Sequence, residues 1–131
     1  MIRVLIVDDL RLVRETIRLF LEHAQDTQVI GEARDGQEGL EMAARLAPDV
    51  VVMDIEMPRL NGLDATAALH TREPKLPILI FAMSSDEADV RRAVQNGARG
   101  YVPKDGDYTE LLAAIRVLAA GQTYLSRVIT K

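Results

Sequence analysis

Residues 2–9 read IRVLIVDD, a run of β-branched residues and leucine that ends on two aspartates. A short apolar run of this kind reads as a strand buried on both faces. The pattern recurs at 50–53 (VVVM), with Asp54 directly behind it, and again at 77–83 and 100–102. Val29-Ile30 supplies one more short run. Amphipathic stretches lie between these runs. Residues 11–22 carry Val13, Ile17, Phe20 and Leu21 on one helical face. Residues 36–46 turn Leu40, Ala43 and Ala44 inward and are closed by Pro48. A helix fits 63–71, after a turn-rich stretch through Pro58, Asn61 and Gly62. Another fits 87–96 and stops at Gly97; the last, 108–120, aligns Leu111, Leu112, Ile115 and Leu118 and stops at Gly121. Five βα units in succession predict an α/β domain, a doubly wound (βα)5 with a five-stranded parallel sheet. The expected strand order is 2-1-3-4-5. Residues 1–121 make up this domain, and 122–131 read as the start of a linker.

The composition sets outer bounds. The 131 residues suit one domain, with 48% apolar and 27% charged residues. Without cysteine there is no disulfide framework, thiol chemistry or thiolate metal site, and His23 and His70 are too few for most histidine zinc sites. Both histidines read as surface residues near helix ends, and Met42, Met53, Met57 and Met83 as packing. The net charge of −4 argues against this stretch itself wrapping nucleic acid. No apolar run approaches the ~18 residues of a membrane span, and Met1-Ile2-Arg3 does not open a signal peptide, so a cytoplasmic location is expected.

Placement singles out four residues. Asp8 and Asp9 follow strand 1, Asp54 follows strand 3 and Lys104 follows strand 5. All four lie at the carboxyl ends of strands, where open parallel sheets bind ligands. In the expected order strands 1 and 3 are neighbours about 4.8 Å apart, which gathers the three carboxylates. Taken singly, an Asp after a strand is often a helix cap, and a Lys a solvated charge. Their joint placement favours a functional cluster. Crowded carboxylates raise one another's pKa unless a cation holds them, and an all-oxygen donor set suits Mg²⁺. A metal beside a lysine complements phosphate oxygens, and an Asp at the centre can act as a nucleophile toward phosphorus. Arg11, Arg14 and Arg18 form a stripe on the first helix, offset by Glu15; this reads as a solvated face, or as a docking surface for an acidic partner.

Three strings in order, RVLIVDD at 3–9, VVVMDIEMPRLNG at 50–62 and GARGYVPKD at 97–105, resemble the receiver domain of two-component response regulators. The resemblance implies a flavodoxin-like fold, a sensor histidine kinase as partner, and Asp54 as phosphoacceptor. It also implies Mg²⁺ held by Asp9, Asp54 and the backbone carbonyl of Glu56, with Asp8 acting through water, and Lys104 paired to the phosphoryl group. Tyr101 matches the aromatic switch position, and Pro58 and Gly62 match the loop that shapes the site. GEARDG at 31–36 and AAGQTYLS at 119–126 are similar to receivers that precede a LuxR-type (NarL/FixJ-like) helix-turn-helix. That implies transcriptional output, with DNA contacted only through a C-terminal domain outside this chain. A homodimer through helix 1, 4 or 5 is compatible with the pattern.

Three positions depart from the family. Ala82 stands where a Thr or Ser hydroxyl usually reaches the phosphoryl oxygen, so the coupling to Tyr101 is expected to be weak or differently wired. Ser84 and Ser85 offer hydroxyls two and three residues later. Glu56 puts a carboxylate where it crowds the phosphoryl group and the path of water. Asp105 follows Lys104 where many receivers have proline. Two other readings stand beside the switch: a Mg²⁺-dependent phosphohydrolase with an Asp nucleophile, and an interaction domain independent of phosphorylation.

Overall fold

The computed structural model describes residues 1–105 and 107–126. Its elements run β1 (Ile2–Val7), α1 (Arg11–His23), β2 (Thr27–Ala33), α2 (Gly36–Leu46), β3 (Val50–Met53), α3 (Gly62–Arg72), β4 (Ile78–Ala82), α4 (Glu87–Gln95), β5 (Gly100–Pro103), α5 (Tyr108–Ala119) and β6 (Tyr124–Leu125). The strands pair in parallel in the order β2-β1-β3-β4-β5-β6. The expected order is therefore present, with one strand added.

Two apolar layers account for the architecture. On one face Val4, Ile6, Val52, Leu79 and Val102 pack against Ile17 and Leu21 of α1 and Leu111, Ile115 and Leu118 of α5. On the other, Leu5, Val7, Val51, Met53 and Ile80 meet Leu40, Leu63, Leu69 and Val90 of α2, α3 and α4. Side chains alternate across a strand, so a strand buried on both faces must be apolar throughout. This is why β1, β3 and β4 stand out in the sequence.

The edge strands do not. β2 spans seven residues where the apolar signal covers only Val29 and Ile30, because Gln28 is exposed and Glu32 half-buried. Its register to β1 also shifts, Val4 pairing Val29 but Leu5 pairing Gly31, so Ile30 is an extra residue that breaks the alternation. β6 falls within 122–131, the stretch read as linker; Tyr124 pairs with Gly100 and Leu125 with Tyr101. The Tyr124 hydroxyl also donates to Glu110 Oε2 at 2.9 Å. The rest of that stretch, 127–131, lies outside the described residues. Two smaller expectations are corrected. Ala44 is exposed while Gly39 joins Leu40 and Ala43 on the buried face, and Gly36 is buried against the Leu60 backbone. Met83 is 79% exposed, because it lies one residue beyond the end of β4.

Candidate functional site

Backbone hydrogen bonds carry the sheet's order past the strand ends and fix the rim. Asp8 N–H donates to Ala33 O at 3.0 Å, Asp54 N–H to Val7 O at 2.9 Å and Lys104 N–H to Ala82 O at 2.8 Å. The loop after β3 folds back so that Gly62 N–H donates to Ile55 O at 2.7 Å. A Cβ at residue 62 would lie 1.6 Å from the Asp54 carbonyl oxygen, so only glycine allows this return. Arg59 turns the loop in the left-handed region at φ 66°. Its Nε donates to Asp35 Oδ2 at 2.8 Å, and Asp35 also caps α2 by accepting from Glu38 N–H. Pro58 sits exposed on this loop, its carbonyl accepting from Leu60 N–H.

One carboxylate oxygen from each of Asp8, Asp9 and Asp54 lies within 4.8 Å of the other two. Asp8 and Asp54 are buried and Asp9 is exposed. Lys104 reaches across β4, its Nζ 2.5 Å from Asp8 Oδ2 and 3.2 Å from Asp54 Oδ1. It also stands over the Phe81 ring, 5.9 Å from the centroid. Burial, then the charge of Asp8, pushes the Asp54 carboxyl up to about 6 against the pull of Lys104. For Lys104 burial acts downward, yet the hydrogen bond to Asp8 and the charges of Asp54 and Asp8 prevail and raise it. A crowded oxygen-only donor set, one member open to solvent, has the chemistry of a hard-cation site.

A cleft of about 490 Å³ opens over this group, lined among others by Asp9, Asp54, Glu56, Ala82, Ser84 and Lys104. Glu56 is exposed at the rim and Ala82 is buried beneath it. The Ser84 hydroxyl accepts from Asp86 N–H at 3.1 Å, and a hydroxyl that accepts keeps its own proton for donation. Tyr101 is fully buried and donates its hydroxyl to Ser84 O at 2.8 Å. Burial and the charge of Asp89 push its phenol up to about 12. His23 and His70 are exposed, as expected.

Two residues escaped the sequence reading. Asp89, in the first turn of α4, lines the cleft; no local pattern marks it. Arg14 is buried rather than part of a solvated stripe, and its Nη1 donates to the Asp8 carbonyl at 2.7 Å. The signal was present in the helical phase, since Arg14, Ile17 and Leu21 share the buried stripe of α1.

The family model described as the response regulator receiver domain matches residues 4–116. The chain is 41% identical over 126 residues to the response regulator GacA of Pseudomonas viridiflava, covering 96% of this chain and 59% of that protein. It is 34% identical over 129 residues to the transcriptional regulatory protein DegU of Brevibacillus brevis, covering 98% and 55%. The chain thus spans little more than half the length of these relatives. Among solved structures it is similar to a LuxR-family two-component response regulator from Aurantimonas sp. SI85-9A1, with TM-score 0.95 and 35% identity, covering 99% of this chain and 93% of that one. Among the described residues, no helix is long and apolar enough to cross a membrane.

Proposed function

The chain belongs to the response regulator receiver family, and from that premise we propose that it is a phosphorylation-dependent switch in which Asp54 accepts a phosphoryl group from a sensor histidine kinase. The observation that carries the reading is the buried Asp54 carboxylate with the Lys104 ammonium 3.2 Å away and two further carboxylates alongside. Asp54 acts as nucleophile. One of its oxygens bonds to phosphorus as the phosphorus–nitrogen bond of the donor's phosphohistidine breaks, the electron pair staying on the imidazole. Lys104 is positioned to neutralise the transferred oxygens. Asp9, Asp54 and the Glu56 carbonyl would hold Mg²⁺, with Asp8 acting through water because Leu10 N–H and Lys104 already occupy its oxygens. Bound there, Mg²⁺ supplies charge neutralisation for carboxylates and phosphate alike.

The output we propose is transcriptional, through a C-terminal DNA-binding domain outside these 131 residues, in a cytoplasmic protein. DegU's description as a transcriptional regulatory protein and the LuxR-family neighbour support it. The domain proper is proposed to be 1–121, with the start of the linker laid along the edge of its sheet as β6. The family is one of signalling proteins, which speaks against a turnover phosphohydrolase. The intact set Asp8, Asp9, Asp54 and Lys104 speaks against a domain independent of phosphorylation. Incubation with a small acyl phosphate and Mg²⁺ is expected to add the mass of one phosphoryl group at Asp54, and none in Asp54→Asn. Labelling that survives Asp54→Asn would overturn the assignment.

A further inference from the structure

Arg14 is an expensive residue for its position. The first turn of α1 holds Arg11 and Arg14 with no acidic residue, and Leu10 at the N-cap supplies no side-chain cap. A cation there opposes the helix dipole, and a buried guanidinium forfeits hydration. Local rules broken together are commonly found where function requires it.

The guanidinium bridges three elements. Its Nη1 donates to the Asp8 carbonyl at the end of β1 at 2.7 Å, and its Nε donates to Glu32 Oε1 on β2 at 3.2 Å. Glu32 is held in turn by Arg18 Nε at 2.6 Å. The Asp8 amide donates to Ala33 O, and its carboxylate accepts from Leu10 N–H at 2.9 Å and from Lys104 at 2.5 Å. Every polar group of Asp8 is therefore held. Because the peptide unit is planar, fixing the Asp8 carbonyl fixes the plane of the 8–9 peptide and the direction in which Asp9 leaves the strand.

We propose that Arg14, braced by Glu32, is a positioning residue for the metal pocket, aiming Asp9 by holding the carbonyl of Asp8. The inference rests on the Mg²⁺ reading above. The alternative role, bare charge, makes the opposite prediction: a guanidinium repels a nearby dication, so removing it would tighten binding.

The test is a calorimetric titration of Mg²⁺ into the full chain and into Arg14→Met, Arg14→Lys and Arg18→Met, with thermal unfolding of each in EDTA. Arg14→Met keeps the apolar stem and loses the clamp; Mg²⁺ should bind about 10-fold more weakly or worse, the usual cost of losing an outer partner of a metal ligand. Arg14→Lys, with one ammonium for two acceptors, should recover part of that loss. If Arg14→Met does not fold, the loss is read on Arg14→Lys alone. Arg18→Met, which loosens Glu32 but leaves both hydrogen bonds of Arg14 in place, should cost much less than Arg14→Met. Unchanged or tighter binding in the Arg14 variants overturns the inference, as does an equal loss in Arg18→Met. Wild-type protein that binds no Mg²⁺ overturns the metal reading and this inference with it, whereas wild-type binding with unmoved Arg14 variants overturns this inference alone.

Discussion

Replacing Gly62 by alanine puts a methyl group 1.6 Å from the Asp54 carbonyl oxygen, with the Asp54 carbonyl carbon 2.7 Å away. An ordinary carbon–oxygen contact needs roughly 3.3 Å, so the chains must part by about 1.5 Å, and both partners are backbone. The bond from Gly62 N–H to Ile55 O, 2.7 Å long, does not survive such a shift. Overpacking at the upper end of its usual range costs about 3 kcal/mol, and the lost hydrogen bond about 1 more. Alanine's better helix propensity at the start of α3 returns at most about 1. The net loss of about 3 kcal/mol corresponds to a fall of roughly 10 °C in melting temperature for a chain of this size. Displacement of the 54–55 backbone should also slow labelling of Asp54 by a small acyl phosphate. Thermal unfolding and a labelling time course on the Gly62→Ala protein check both. A melting temperature within about 2 °C of wild type, well under the shift expected for 1 kcal/mol, would refute the reasoning.

Four further outcomes are expected. Asp54→Asn without metal should be more stable to urea at neutral pH by about 1–3 kcal/mol, because the folded carboxyl, at about 6, lies above its unfolded value. The Asp54 contribution is fully present below about pH 4 and is lost as pH rises through 6, so the advantage of Asp54→Asn should vanish in acid; a constant difference across pH 3–8 contradicts this. Ala82→Thr supplies a hydroxyl worth about 1.5–3 kcal/mol against a charged phosphoryl group, so amide shifts in α4 and β5 with Mg²⁺–beryllofluoride should exceed those of wild type. Equal shifts would show that the hydroxyl is not what limits the response. Asp35→Ala removes the cap of α2 and the partner of Arg59 and should cost about 1–2 kcal/mol in urea unfolding. Arg59 chiefly holds the Asp35 carboxyl below the usual range, so that contribution is lost only as pH falls through its low folded value. Glu56→Asn should change the phosphoryl lifetime, read as the decay of labelled protein; an unchanged decay clears the Glu56 side chain of a part in setting it.

What was legible in the sequence follows burial. β1, β3 and β4 are covered on both faces and therefore apolar without interruption, and the aspartates behind β1 and β3 and the lysine behind β5 could be placed on one rim from order alone. β2 was half hidden because an edge strand needs only one apolar face, and Ile30 interrupts even that alternation. β6 has only two residues, below the length at which periodicity carries information. Arg14 carries a charge that suggests solvent, while its helical phase, shared with Ile17 and Leu21, faces the interior. The backbone partner that accommodates it, the Asp8 carbonyl, leaves no mark in a sequence. Gly62 was noticed as a turn residue, but the approach of the Asp54 carbonyl that demands it is a tertiary fact.

The added strand also sets the mechanical polarity of the molecule. Gly121, just past α5, lines the same open cleft as Met1 and Ile2, at the amino ends of the strands. Because β6 runs parallel to β5, the chain then turns and travels back toward the rim that holds Asp54 and Lys104. Tyr124 N–H donates to Arg99 O at 2.9 Å and Ser126 N–H to Tyr101 O at 3.1 Å. A tension applied along the axis of β6 would load these two bonds together, in shear, rather than unzip them one at a time. The residue at the junction is Tyr101, whose carbonyl takes one of those bonds while its hydroxyl grips the loop after β4. Tether and cleft loop are thus fastened to the two ends of a single tyrosine.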